Sequence, residues 1–127
     1  MCKQELILSV LEQICETLSL IIKRTAFVQS VDDFYLSESG MILLDSVCMK
    51  LVAVGEAVKN LDKLTNRELL RKYPSINWKD IKGMRDIIVH HYFDVDASVI
   101  VYTLHHEVPG LYKVISQIID EMKTSVV

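Results

Sequence analysis

Asn77-Trp78-Lys79-Asp80-Ile81-Lys82-Gly83-Met84-Arg85-Asp86-Ile87-Ile88-Val89-His90-His91-Tyr92 joins a helical pattern to a set of reactive side chains. Trp78, Ile81, Met84 and Ile88 recur at helical spacing, so one face of this segment turns inward. Asn77 is suited to cap its start. The helix is predicted to end around Tyr92 or Phe93. The same segment carries Arg85, Asp86, His90 and Tyr92: a permanent cation, a carboxylate, an imidazole and a phenol within about two helical turns.

The flanks are helical too. From residue 3 to about 28, Leu6, Val10, Leu11, Ile14, Leu18, Ile21 and Ile22 form one apolar face. Residues 30 to 39 break the pattern with Asp32, Asp33, Ser37 and Ser39, which reads as a loop holding a short helical turn. A second long helix is predicted from about Ser39 to Leu61. Gly55-Glu56-Ala57 sits inside it. A mid-helix Gly costs about 1 kcal/mol relative to Ala, so Gly55 marks a close approach of another helix. Glu56 is then an acceptor tying helices together, or simply a neighbour of that close packing. Thr65-Asn66-Arg67-Glu68 has the form of a capping box, opening a short helix that ends near Tyr73-Pro74. Asp96 caps a last long helix running to about Lys123, in which Pro109-Gly110 predicts a kink or break.

These elements make an all-α, up-and-down four-helix bundle with an additional short helix and a Pro-kinked last helix. Residues 1–127 form a single domain. The composition agrees: half of the 127 residues are hydrophobic, and only 2 Pro and 4 Gly punctuate them. Cys2, Cys15 and Cys48 are odd in number and widely spaced. They fit reduced thiols of a cytosolic protein and match neither a disulfide framework nor a zinc pattern. Glu5, Glu12 and Glu16 interrupt the apolar N-terminus, so neither a signal-peptide core nor a membrane span is expected. The chain is expected to be soluble and cytoplasmic, with no membrane partner.

The net charge is −3, but it is unevenly spread. Residues 59 to 85 hold eight Lys or Arg against three acids, a local +5 that leaves −8 for the remainder. A basic segment running into the motif would draw in a polyanion, with Lys79 and Lys82 as weak RNA contacts. The alternative is a solvated helix face.

Seven helical steps put Arg85 and Tyr92 on nearly the same face, whereas five steps leave Arg85 and His90 roughly 140° apart. Two arrangements would unite them. The helix could end at His90, or a second copy could face the first across a two-fold axis. The second suits RNA cleavage, in which the 2′-hydroxyl attacks phosphorus. That reaction needs a base, an acid for the leaving 5′-oxygen and a cation for the phosphorane. His90 from each of two chains would supply base and acid. Arg85 would hold the transition-state phosphate. Asp86 would orient Arg85 or a His and favour the imidazolium. The bland alternative is that Arg85 and His90 merely complement the helix dipole. His91 reads as exposed or packing. The adjacent pairs His90-His91 and His105-His106 point about 100° apart, so no metal is assigned.

Arg85-x4-His90-x-Tyr92 resembles the R-x4-H-x-Y signature of HepT-like HEPN-domain ribonuclease toxins. Gly55-Glu56-Ala57, Ile76-Asn77-Trp78, Gly83-Met84-Arg85-Asp86 and Val108-Pro109-Gly110-Leu111 also fall where that family has similar residues. The motif chemistry itself needs neither a metal nor a cofactor. The resemblance implies a HEPN-like bundle, usually a homodimer, with an endoribonuclease site at the dimer cleft. It implies that Arg85 and His90 are catalytic, with Asp86 where the family often has Asn or another polar residue. It further implies a type VII-like toxin–antitoxin pair, in which an MNT-type nucleotidyltransferase antitoxin adenylylates Tyr92. The competing reading is a non-catalytic dimeric helical module that binds a nucleotidyltransferase partner, a nucleotide, or both.

Overall fold

The computed structural model describes residues 2–90 and 96–125, with His90 and Ser125 described by backbone alone. Six α-helices appear among them: α1 (Lys3–Arg24), α2 (Asp32–Tyr35), α3 (Glu38–Leu64), α4 (Trp78–His90), α5 (Ala97–His106) and α6 (Val108–Ser125). A 3-10 turn at Leu70–Lys72 lies between α3 and α4. In space the helices follow the order α4–α3–α1–α6–α5, with α2 against α3. This is the all-α bundle expected from the apolar spacing.

The core comes from one face of each long helix. Leu11, Ile14, Leu18 and Ile21 of α1 meet Val47, Leu51, Val54, Val58 and Leu61 of α3, all nearly or fully buried. Ile81, Met84 and Ile88 of α4 and Leu111, Ile115 and Ile118 of α6 close it. Trp78 is half-buried, and its indole Nε1–H donates to the Tyr73 carbonyl at 2.9 Å. Of the three thiols, Cys2 is exposed and Cys48 is buried. Burial, aided by Asp45, pushes the Cys48 thiol up to about 11.

Several helix boundaries follow the expected chemistry. Asn77 Oδ1 accepts from the Asp80 N–H at 3.2 Å, and Asp96 Oδ1 accepts from the Ser98 N–H at 2.9 Å. Ser37, inside the expected loop, caps α3 by accepting from the Gly40 N–H. The residue 65–68 string behaves differently. Thr65 ends α3 instead of opening a helix: its backbone leaves the helical region (φ −100°, ψ 15°), and its hydroxyl donates back to the Leu61 carbonyl at 3.0 Å. Asn66 (φ 55°) and Arg67 (φ 61°) then take left-handed conformations that no helix can continue. Only the 3-10 turn follows.

The last helix is broken, as Pro109-Gly110 predicts, and the break falls at Glu107. Pro109 has no N–H to donate and is placed in the first turn of α6, where none is required. Glu107 is partly buried. Its carboxyl is raised above the ordinary value, first by desolvation and second by the nearby Asp80 carboxylate. A raised folded-state value means that the ionised group works against the fold. The penalty is present at neutral pH and vanishes once both states are protonated. Glu107→Gln is therefore expected to raise the melting temperature at pH 7. That gain should shrink to nothing as the pH falls below about 4, a pattern that paired thermal melts across this range would check.

Candidate active site

Gly55 lets α4 lie directly on α3. A Cβ built at Gly55 would stand 3.0 Å from the Ile81 carbonyl oxygen, 3.6 Å from the Arg85 nitrogen and 3.7 Å from Met84 Cβ. The backbone of Arg85 therefore sits beside Gly55, and its side chain emerges next to Glu56. Arg85 Nε is 3.6 Å from Glu56 Oε1, and the same oxygen is 3.7 Å from Lys59 Nζ. Glu56 does tie helices together, but as a surface ion pair: both its side chain and that of Arg85 are nearly half exposed.

The other motif residues are placed as follows. Asp86 is exposed on α4, one position beyond Arg85. His90 is the last residue of α4, so its backbone keeps the 140° offset from Arg85 around the helix. Tyr92 and His91 lie outside the described residues. Lys79 is exposed. Lys82 reaches back to α3, where its Nζ is 2.5 Å from Asp62 Oδ2. Asp62 is buried (8% exposed). A buried carboxylate stripped of its cation is strongly unfavourable, so Lys82 has a structural task within the bundle. Sequence reading missed this pair. Its signal was Asp62 standing next to Leu61 on the inward face of α3.

The α3 surface beside Arg85 changes character along its length. Ile42, Met49, Glu56 and Lys63 are seven residues apart, two turns each, and share one face. Ile42 and Met49 are 62% and 69% exposed. Val89, four residues after Arg85 and on its side of α4, is also exposed. Arg85 thus stands between an apolar half and a charged half of one continuous surface.

The two later histidines take separate tasks. His105 Nε2 is 2.8 Å from the Val28 carbonyl oxygen and ties α5 to the middle of the α1–α2 connection. His106 lies against Tyr102, with ring centroids 4.6 Å apart. Among the described residues, no three His, Cys, Asp or Glu side chains gather as metal ligands would. Among the same residues, no helix is long and apolar enough to cross a membrane.

The family model described as "Ribonuclease HepT-like" matches residues 14–118, which include the Gly55 contact, Arg85 and His90. A protein of Caldanaerobacter subterraneus subsp. tengcongensis named "Putative RNase" is 34% identical over 113 residues, covering 89% of this chain and 94% of that one. A Thermococcus cleftensis protein named "Probable ribonuclease HepT" is 32% identical over 101 residues, covering 80% and 84%. A Methanocaldococcus jannaschii protein named "Gamma-glutamylcyclotransferase and putative RNase" is 34% identical over 112 residues, covering 88% of this chain and 47% of that one. No solved structure matches.

Two mid-helix glycines should respond oppositely to the same change. Gly55→Ala gains about 1 kcal/mol of helix propensity but drives a methyl into the α4 backbone, an overpacking cost of about 1–3 kcal/mol. Gly83 has nothing within 4 Å of its built Cβ among the described residues, so Gly83→Ala keeps the propensity gain. Chemical denaturation should show Gly55→Ala less stable and Gly83→Ala more stable than the wild type.

Proposed function

This chain belongs to the HepT-like ribonuclease family, and from that premise we propose that it is a metal-independent endoribonuclease, the toxin of a toxin–antitoxin pair. The observation that carries the proposal is Arg85. It is a half-exposed guanidinium, steered by Glu56, on the helix that ends with His90. Arg85 binds the scissile phosphate through forked hydrogen bonds and stabilises the charge that develops on the phosphorane. One His90 takes the 2′-hydroxyl proton, and the oxygen attacks phosphorus. A second His90 protonates the departing 5′-oxygen. The products are a cyclic phosphate and a 5′-hydroxyl. DNA is refused because it lacks the nucleophile.

The second His90 comes from a second copy of the chain. Two features support a homodimer. The 140° offset separates Arg85 and His90 within one helix, and a two-fold axis allows groups from both chains to meet in one cleft. The exposed Ile42, Met49 and Val89 lie beside Arg85. Burying one such side chain fully is worth roughly 1.5–3 kcal/mol, so water is a poor neighbour for all three. Asp86 supports the site by favouring the imidazolium form.

Silencing follows from Tyr92. It stands seven positions after Arg85 in the R-x4-H-x-Y pattern. An MNT-type nucleotidyltransferase antitoxin adenylylates its hydroxyl. The added phosphate then pairs with Arg85 and fills the RNA path.

The test uses purified protein carrying no AMP on Tyr92, a mixed RNA pool and a chelator. Cleavage to cyclic-phosphate and 5′-hydroxyl ends is expected. Arg85→Ala should lower the rate by roughly 10²–10³-fold, and His90→Ala by roughly 10²–10⁴-fold, with fold and dimer intact. Met49→Glu should give monomers that do not cut. Wild-type protein that leaves the RNA whole would favour a non-catalytic module that binds a nucleotidyltransferase or a nucleotide, a reading to which the exposed Asp86 beside Arg85 lends support.

A further inference from the structure

Glu56 holds two cations on one oxygen. Arg85 Nε and Lys59 Nζ stand 3.6 and 3.7 Å from Glu56 Oε1. The three side chains come from two helices and are all 40–47% exposed. They are locked in neither a buried network nor a tight contact. Beside them α3 lines an open depression of about 390 Å³ with Glu56, Ala57, Lys59, Asn60 and Lys63. Its rim carries two ammonium groups and one carboxamide, a donor set for phosphate oxygens. Lys82, by contrast, is drawn inward by the buried Asp62.

We propose that Lys59 and Arg85 form a two-cation clamp for one RNA phosphodiester, with the Glu56 carboxylate as the internal anion that holds both in register until the phosphate replaces it. This deepens the ribonuclease reading and rests on it. A carboxylate oxygen and a phosphate oxygen are alike to a guanidinium or an ammonium: both accept charge-assisted hydrogen bonds. The long Lys and Arg stems lose considerable rotamer freedom when they are fixed. A resident anion that already gathers both heads lowers that cost at the moment of binding. It also competes with the substrate. Glu56 is therefore a positioning residue with two opposed effects: it weakens ground-state binding and favours the oriented, reactive complex. Lys63, one turn beyond Lys59 on α3, extends the track along the depression to a neighbouring phosphate.

The decisive experiment separates binding from chemistry. A fully 2′-O-methylated RNA oligonucleotide cannot be cut by 2′-hydroxyl attack, so its affinity reads the clamp alone. Fluorescence anisotropy is measured at several salt concentrations. For Lys59→Ala, the affinity should fall several-fold, and the slope of log K against log salt should flatten by about 0.7, the loss of one phosphate contact on a single strand. For Glu56→Gln, the same RNA should bind several-fold tighter, while turnover of a cleavable RNA falls. Glu5→Gln, which removes one negative charge near the N-terminus, controls for net charge and should change neither. The clamp is overturned if Lys59→Ala leaves affinity and slope unchanged, if Glu56→Gln binds no tighter, or if Glu5→Gln reproduces the gain. A wild-type protein that binds the methylated RNA as described but cuts no RNA would instead count against the nuclease reading. In that case the clamp stands as a polyanion site.

Discussion

Where Gly55 meets the first turns of α4, two backbones share a space that a single methyl group would fill. Close approach brings a main-chain segment, with its fixed side-chain directions, against a helix that is itself packed on α1. Glycine is poorly suited to a helix interior by its own propensity. At this position the loss is offset by contact between elements. The placement of Arg85 follows from it, since the residue whose nitrogen lies over Gly55 projects toward the next α3 residue, Glu56.

Charge is sorted across the same seam. Asp62 and Lys82 form one crossing pair, with the carboxylate in the core. Glu56, Arg85 and Lys59 form another, in contact with water. Coulomb attraction is screened at the surface and strong inside, so these two sets behave differently. The inner pair secures α4 to α3. The outer set contributes little to stability and for that reason can exchange partners. The proposed phosphate clamp uses cations of the second kind.

The remainder of the bundle holds this seam steady. Tyr73 donates its hydroxyl to Glu121 of α6, and Trp78 donates to the Tyr73 carbonyl, so the irregular stretch before α4 is fastened at Tyr73 to both α6 and α4. Burial and the Glu121 carboxylate together push the Tyr73 phenol up to about 12. The break at Glu107 separates α5 from α6, and His105 secures α5 to the Val28 carbonyl. The exposed apolar face of α3 remains uncovered by any of these described elements. It adjoins Arg85, which is why a second copy of the chain is proposed as its occupant.

Much of this is written in the sequence. Apolar side chains recurring every three to four residues determine the long helices, because a buried stripe leaves few other solutions. Asn77 and Asp96 announce their helices because a cap acts on neighbours two or three residues away. Pro109 announces a break because its ring acts on its own turn. Gly55 is legible as a point of approach. Thr65-Asn66-Arg67-Glu68 is not legible from its letters alone. A threonine hydroxyl can accept at the start of a helix or donate at its end, and here it closes α3. The pairs Asp62–Lys82 and Glu56–Arg85, each joining residues more than 19 positions apart, depend on how two helices cross. Local chemistry acts over a few residues and can be read along the chain. Which cation is held inside and which is left at the surface depends on distances through space, and those were set only when α4 came to rest on Gly55.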